Sequence, residues 1–553
     1  MVNNRIKIIC KNNQQEISVP IGTTISEAQL LLQVQTNSPI IGALANNKPV
    51  GLHMGLYNNK TIEFIEQNSS IGKRIYVRSL VFLLYKAIQD TFPNAQFRVE
   101  YAISNGYYCT IEIDHQRISL EQLKIIKDRA IQLVEENLPF DLYYEPRQRS
   151  IQRFEQKSLH EVSQLLRYKK SYYTYYYKLG ETYDFYADVL VPSTKYLHNF
   201  DICPYFDGFL LRVPKKNNAE QLEEITQQRK TYDIYKEHVK WCNIIGMNSI
   251  TDLNALNKEQ RSSLIKVAEA LHEKKIAKIA EQIIEKGSVR MVLIAGPSSS
   301  GKTTTSKRLS IQLAASGIKP RTLSLDNYYL THDKTPKDEF GELDFESLYA
   351  LDLPLLNKQL QQLIAGETII PPVFNFKTEQ REEGKPMQLK ENEILIMEGI
   401  HGLNPELTAS IDDGLKFKIY ASALTSLSLN DRNWISASDT RLLRRIIRDY
   451  KYRNYPADKT IDRWPSVRRG EDKWIFPFQE NADAMFNSSL LFELASIKRQ
   501  AEPILNEVAQ DSDSYPEAKR LLHLLEFVVG IPYNEIPQTS LLREFLGGSG
   551  FHY

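Results

Sequence analysis

The sequence predicts an α/β protein whose C-terminal half is built on a parallel sheet, preceded by a small β-rich module and a second α+β unit. Three observations carry this. An apolar stretch at Val289–Ala295 runs into a glycine-bounded loop and then a helix-forming segment, the order expected of a buried parallel strand followed by its crossover. Residues 1–66 alternate apolar and polar positions in Arg5–Cys10 and Glu16–Val19, turn at Pro20-Ile21-Gly22 and become helical from Ser26. Between the halves, Lys258–Lys286 repeats apolar residues at helical spacing without a breaker. A chain of 553 residues has room for about three to five folding units.

The intervening elements follow in order. Ile75–Thr91 has helical periodicity, and Gln96–Ile113 has strand character on both sides of Asn105-Gly106, a favoured tight-turn dipeptide. Leu120–Glu136 is an amphipathic helix. These make a second unit over 67–215, left through Pro214-Lys215-Lys216-Asn217-Asn218. Residues 216–287, rich in Glu, Gln, Lys and Ala, read as a helical connector, 288–500 as the parallel-sheet domain, and 501–553 as a C-terminal helix and tail. The glycines near the end of the tail suit either a loop over the site or a free end. Seven tyrosines at 172, 173, 175, 176, 177, 183 and 186 suit half-buried strand positions better than stacking on RNA bases.

Composition excludes several classes. Lys and Arg number 69 and Asp and Glu 68, so no global field draws the chain to polyanions, and anion binding must be local. Hydrophobic residues at 42% and charged residues at 25% exclude wholesale disorder and coiled-coil architecture. Cys10, Cys109, Cys203 and Cys242 are far apart and form no Cys-x-x-Cys pair, which excludes a disulfide framework and favours a reducing cytoplasm. The polar start is unlike a signal peptide, and no run approaches the roughly 18 apolar residues that span a bilayer. A cytoplasmic protein with no membrane association is the expectation.

The chemistry begins at Gly296-Pro297-Ser298-Ser299-Ser300-Gly301-Lys302-Thr303, a G-x-x-x-x-G-K-[ST] phosphate loop placed between a strand and a helix. Its glycines allow successive N–H groups, those of the following Thr304 included, to converge on phosphate oxygens at a helix N-terminus. Lys302 adds positive charge, and the Thr303 hydroxyl suits Mg²⁺. A second strand, Arg321–Leu325, delivers Asp326 at its carboxyl end, the side on which parallel sheets bind ligands, where it is placed to act as a base. A third, Glu393–Met397, delivers Glu398, a second metal candidate opposite Thr303. Arg441, Arg444, Arg445, Arg448 and Arg453 then give one helix a basic face suited to phosphate contacts in a closing lid, with Leu442, Leu443, Ile446 and Ile447 largely elsewhere on the wheel. The absence of an Asn-Lys-x-Asp element argues against a GTPase.

Residues 288 to about 495 resemble the uridine kinase and phosphoribulokinase branch of P-loop kinases through GPSSSGKTT at 296, SLDNYY at 324, LDFESL at 343, PPVFNF at 371, IMEGIHGL at 396 and SDTRLLRRIIRD at 438. The resemblance implies a doubly wound parallel sheet with a lid, ATP with Mg²⁺ as donor, and a ribonucleoside 5′-hydroxyl as acceptor. It makes Asp326 the general base, Asp344 a ribose contact, Thr303 and Glu398 the metal residues, and Arg445, Arg448 and Arg453 phosphate contacts. The positions that touch a pyrimidine in uridine-cytidine kinases, a Tyr and a His, hold Phe374 and Glu379 here, and the Arg-Gly-Arg end of the lid run becomes Arg453-Asn454-Tyr455. Phe374, Glu379, Arg381 and Arg453 are accordingly candidates for the acceptor pocket, and a purine nucleoside stands beside uridine and cytidine as the acceptor.

The N-terminal part resembles the TGS domain and second additional domain of threonyl-tRNA synthetase, through VPIGTTISEA, ALANNKPVGL and the sequel from IYVRSLVFLLYKAIQDTFPNAQFRVEYAISNGYY. A β-grasp-like module over 1–66 and an α+β domain over 67–215 are implied. The editing pair His-x-x-x-His of that family is replaced by Arg78 and Phe82, so hydrolytic editing is not expected, and His198 and Cys203 are read as structural. The sequence therefore points to an ATP-dependent nucleoside kinase with N-terminal regulatory or ligand-binding modules. Its alternatives are an ATP-gated RNA- or ligand-binding protein, with RNA held by the N-terminal half, and a P-loop kinase of another small hydroxyl acceptor such as a sugar phosphate or pantothenate. The kinase resemblance also admits a homo-oligomer.

Overall fold

The computed structural model describes residues 4–552 except His115, Asn217, Phe376, Lys377, Glu379 and Ser426. The C-terminal sheet has five strands, β1 (Met291–Ala295), β2 (Lys319–Ser324), β3 (Glu393–Glu398), β4 (Lys416–Ser422) and β5 (Ala484–Asn487), in the order β2-β3-β1-β4-β5 with every pairing parallel. Alternation explains the continuous apolar runs. Val292 and Ile294 with Ile394 and Ile396 enter a core shared with helices α1 (Lys258–Lys286) and α2 (Lys302–Ala315), whereas Met291 and Leu293 with Leu395 and Met397 enter one shared with α3 (Leu353–Ile364). Both faces are covered, as a parallel sheet requires.

The N-terminal residues form a five-stranded sheet from Arg5–Cys10, Glu16–Pro20, Ile40–Ala45, Lys48–Val50 and Lys60–Glu66, with the first and last strands parallel at its centre. Ile25–Leu32 is its helix, opened by a capping box between Thr24 and Glu27. The second unit packs Ser70–Thr91 and Leu120–Glu135 on a sheet containing the hairpin Gln96–Ile103 and Gly106–Ile113, which turns at Asn105 as expected.

The stretch 216–287, expected to be a connector, divides between its neighbours. Arg229–Ile245 joins the second unit through Tyr232 and Tyr235, which pack on Tyr101 and Tyr108, whereas α1 contributes Ile276, Ile279 and Ile283 to the core of the parallel sheet. The tyrosine cluster also divides, since Tyr176, Tyr177 and Tyr186 are buried while Tyr172 and Tyr173 are exposed. All four cysteines are free thiols. Among the described residues no helix is long and apolar enough to cross a membrane.

Helix α4 (Ala437–Arg453), expected to be part of a lid, is a buried strut. Its Leu442, Leu443, Ile446 and Ile447 share one core with Phe154, Leu165 and Phe185 of the second unit and with α5 (Ala457–Trp474), α6 (Glu493–Asn506) and α7 (Tyr515–Glu526). An apolar stripe of that size is stable only when covered, so the helix cannot swing away freely. The tail, left open between a loop and a free end, is docked: Leu541, Leu542, Phe545 and Leu546 are fully or almost fully buried.

Candidate active site

The phosphate loop connects β1 to α2. A Cβ on Gly296 would lie 2.0 Å from the Ala421 carbonyl oxygen, and Gly301 holds φ +84°, so neither position tolerates a side chain. Ser299 adopts φ 58°, a conformation that costs a non-glycine residue about a kcal/mol or more and is typical of binding loops. The Ser299 and Ser300 hydroxyls are buried and have no hydrogen-bond partner among the described residues. Polar atoms so placed await an acceptor, and phosphate oxygens fit that need. Lys302 folds back to donate to the Pro297 carbonyl at 3.2 Å.

The five arginines divide by role. Arg441 and Arg444 are engaged by the protein itself: Arg441 pairs with buried Glu471 and donates to the Ser298 carbonyl at 3.0 Å, and Arg444 pairs with Glu493 and donates to the Ser299 carbonyl at 3.2 Å. They hold the loop from behind. Arg445 donates to Ser298 Oγ at 2.8 Å, and Arg445, Arg448 and Arg453 all pair with one carboxylate, Asp449. Burial would raise Asp449, yet the three arginines hold it below the usual carboxylate range. Crowding by Arg448 and then burial lowers Arg453 to about 10, and burial and then Arg448 lower Arg445. Three guanidinium groups against one carboxylate leave an excess of positive charge suited to a polyanion.

Opposite stand the carboxylates. Asp326 lies in the single turn after β2, where burial raises it against the pull of Lys302, Arg453 and Arg448. The Thr303 hydroxyl donates to Glu398 at 3.2 Å, and Glu398 is pushed up to about 7 by burial and then by Asp326. These donors are all oxygens, as Mg²⁺ prefers. Among the described residues no group of three or more His, Cys, Asp or Glu could hold a metal unaided, so a cation at Thr303 and Glu398 would complete its shell with phosphate oxygens and water.

The acceptor-side candidates are placed unevenly. Asp344 is half-buried and raised by burial, its carboxylate accepting from the Glu346 N–H at 3.1 Å. Phe374 is buried with its ring centroid 6.1 Å from that of Tyr329, and Tyr329 feels the charges of Asp326, Glu346, Arg445 and Arg453. Arg381, expected in the pocket, instead clamps its wall: it donates to the Tyr328 and Tyr329 carbonyls, both at 2.7 Å, and pairs with Asp352 at 2.9 Å. Glu379 lies outside the described residues.

Two acids escaped sequence reasoning. Glu346 has a buried Oε2 with no hydrogen-bond partner among the described residues and is pushed up to about 7 by burial against Arg445, its position two residues after Asp344 being the only sequence hint. Glu544 accepts from the Thr304 N–H at 3.2 Å and from its hydroxyl at 2.6 Å, across 240 positions of sequence that no local pattern could bridge.

Glu346 and Glu398, each rising from an ordinary 4.5 to about 7, fix a pH response. Between those values the folded chain retains protons that the unfolded chain has released, so their contribution to stability is present below pH 4.5 and is lost as pH rises through 7. Urea unfolding of the chain without ligands is expected to show stability falling by a few kcal/mol from pH 5 to pH 8. Replacing both residues by Gln should flatten that slope.

Comparison with known proteins bears on the same part of the chain. The model of the Phosphoribulokinase / Uridine kinase family matches residues 291–490. A uridine kinase of Bacillus pumilus is 30% identical over 191 residues, covering 34% of this chain and 82% of that protein. Through residues 291–490, this chain belongs to the phosphoribulokinase / uridine kinase family. A uridine kinase of Staphylococcus aureus (strain JH9) is 29% identical over 191 residues, covering 34% of this chain and 83% of that protein. A solved structure described as a "Possible Uridine Kinase" from Bacillus stearothermophilus is 19% identical with TM-score 0.27, covering 39% of this chain and 98% of its own. The kinase domain is the shared part, and the two uridine kinases leave about two-thirds of the chain unmatched.

Proposed function

We propose that the chain is an ATP-dependent nucleoside kinase that transfers the γ-phosphoryl group to the 5′-hydroxyl of a ribonucleoside. The observation that carries the reading is Asp326, a half-buried carboxylate at the carboxyl end of β2 within the fields of Lys302, Arg453 and Arg448. A nucleotide switch has no use for a base at that place. Asp326 takes the proton of the acceptor hydroxyl, Lys302 and the three arginines facing the loop stabilise charge on the moving phosphoryl group, and the N–H groups of the loop orient the donor. Bound Mg²⁺ at Thr303 and Glu398 would neutralise the outer phosphates. Asp344 orients the ribose and Phe374 faces the base, and the sequence change to Glu at position 379 brings purine nucleosides into range beside uridine and cytidine.

The N-terminal half serves as a regulatory or ligand-binding module of a cytoplasmic enzyme. A TGS-like reading of residues 1–66 is supported by the strand arrangement with parallel first and last strands, and by the helix between the two hairpins. A second reading, in which ATP gates RNA or ligand binding by that half, has support in one junction. Arg74 pairs with Glu517 at 3.0 Å, Glu517 with Arg520, and Arg520 with Asp439 in the first turn of α4, linking the second unit to the helix that carries the phosphate-facing arginines.

The test is ADP release by the purified chain with Mg-ATP across a panel of ribonucleosides and sugar phosphates. Acceptor-dependent turnover absent in Lys302→Ala and Asp326→Asn is the expected outcome. ATP binding through Lys302 without stimulation by any acceptor would overturn the kinase reading in favour of the switch. Glu379→Gln is expected to shift the preference among bases by about tenfold while ATP affinity stays unchanged, as measured by kcat/KM for each nucleoside.

A further inference from the structure

The N–H groups of the first turn of α2 are the donors a phosphate loop offers to a nucleotide. One of them is already taken. Glu544, in the short helix Arg543–Leu546 at the far end of the chain, receives both the N–H and the hydroxyl of Thr304. A phosphate oxygen at this position competes with Glu544 for those two donors, because both are anions, repel one another at such range and need the same hydrogens.

The contact is built rather than incidental. Leu541 lies against Gly301, so that a Cβ on Gly301 would approach its side chain to 2.7 Å, and Leu541 and Phe545 share the core of α1, α2 and the sheet. Arg444 stacks on Phe545 with 5.1 Å between the guanidinium and the ring centroid, while its own amino group holds the Ser299 carbonyl. Arg543 packs on Tyr533 at 3.9 Å and donates to the carbonyls of Tyr533 and Pro537. Lys451 of α4 donates to the Leu546 carbonyl, and so does Gln500 of α6 at 3.3 Å. Neighbours on both sides fix the segment, but the Glu544 side chain is itself only partly buried. Its charge is also one of those that raise Glu398, so the carboxylate adds to the negative field a nucleotide must enter.

From these contacts we propose that Glu544 is a built-in competitor for the phosphate site, so that nucleotide binding and the Glu544 contact exclude one another. This rests on the reading of the loop as a nucleotide site. By linkage, a nucleotide that displaces Glu544 loosens the segment 540–546, and whatever holds that segment down weakens the nucleotide by the same factor. The anchors place the control in α4 and α6, the helices that pack against the second unit.

The probe is Mg-ADP titrated calorimetrically into the full chain, with Glu544→Gln, Glu544→Ala and Lys302→Ala alongside. Gln keeps the shape and removes the charge, and Ala removes the contact. Both are expected to bind ADP about five- to tenfold more tightly than the native chain, the order of one anion at a helix N-terminus. Amide exchange over 540–546 is expected to speed up in the native chain when ADP saturates it. Variants that melt with the native chain yet bind ADP equally or more weakly would overturn the competitor role, as would unchanged exchange. Binding that Lys302→Ala abolishes and both Glu544 variants leave unchanged overturns this inference alone, whereas no binding by any form overturns the nucleotide reading with it.

Discussion

Asp326→Asn is expected to lower kcat about 10²- to 10⁴-fold while the affinity for Mg-ADP stays the same or increases. The variant keeps the size of the side chain and removes its negative charge and with it the capacity to accept a proton. Because burial holds Asp326 above the usual carboxylate range while Lys302, Arg453 and Arg448 pull it down, the carboxylate is a stronger base than a solvated one. A residue that merely shaped the turn after β2 would change kcat and binding together. Lys302→Ala provides the contrast, because its charge serves both the bound nucleotide and the transition state, so affinity and kcat fall together. The acid limb of the pH–rate profile supplies a second readout: activity rises with pH as Asp326 ionises, and that limb should vanish in the Asn variant. Single-turnover rates at saturating nucleotide would settle both points, and an Asn variant with native kcat would remove Asp326 from the chemistry.

What could be read from the residues is what depends on near neighbours. The loop from Gly296 to Thr304 and the acids at the ends of β2 and β3 follow from strand alternation and motif spacing, and the structure places each where the chain direction of a parallel sheet requires. The division of the arginines was half legible. Helical spacing separates Leu442, Leu443, Ile446 and Ile447 from the basic positions, but only the partners Glu471 and Glu493, some 30 and 49 residues away, reveal that Arg441 and Arg444 face inward. Arg381 was misplaced for a similar reason: a guanidinium beside a pocket motif reads as a ligand contact, while its real partners are carbonyls about 52 residues upstream. The docking of the tail was not legible at all. Gly547 and Gly548 read as flexibility, yet both adopt positive φ to seat a segment whose burial depends on α4, α6 and the loop together.

Removing Glu471 tests how much of the site is held from behind. Its carboxylate is fully buried, and although burial alone would raise it, Arg441 and Arg468 hold it below the usual range. Oε1 accepts from the Ser298 N–H at 3.1 Å, Arg441 returns to the Ser298 carbonyl at 3.0 Å, and Arg468 reaches Oε2 at 2.6 Å. Glu471→Ala leaves Arg441 buried without its carboxylate and should cost about 3–5 kcal/mol in urea unfolding. The double variant Glu471→Leu with Arg441→Leu should recover most of that loss, because a buried ion pair often does little better for stability than apolar side chains of similar size. It should not recover ADP affinity, since Ser298 has then lost both partners that fix its peptide and the loop is no longer held in the conformation that offers its N–H groups together. Recovery of stability with affinity still reduced assigns the pair to shaping the loop, and recovery of both would mean that Gly296, Gly301 and the sheet alone are enough to hold it.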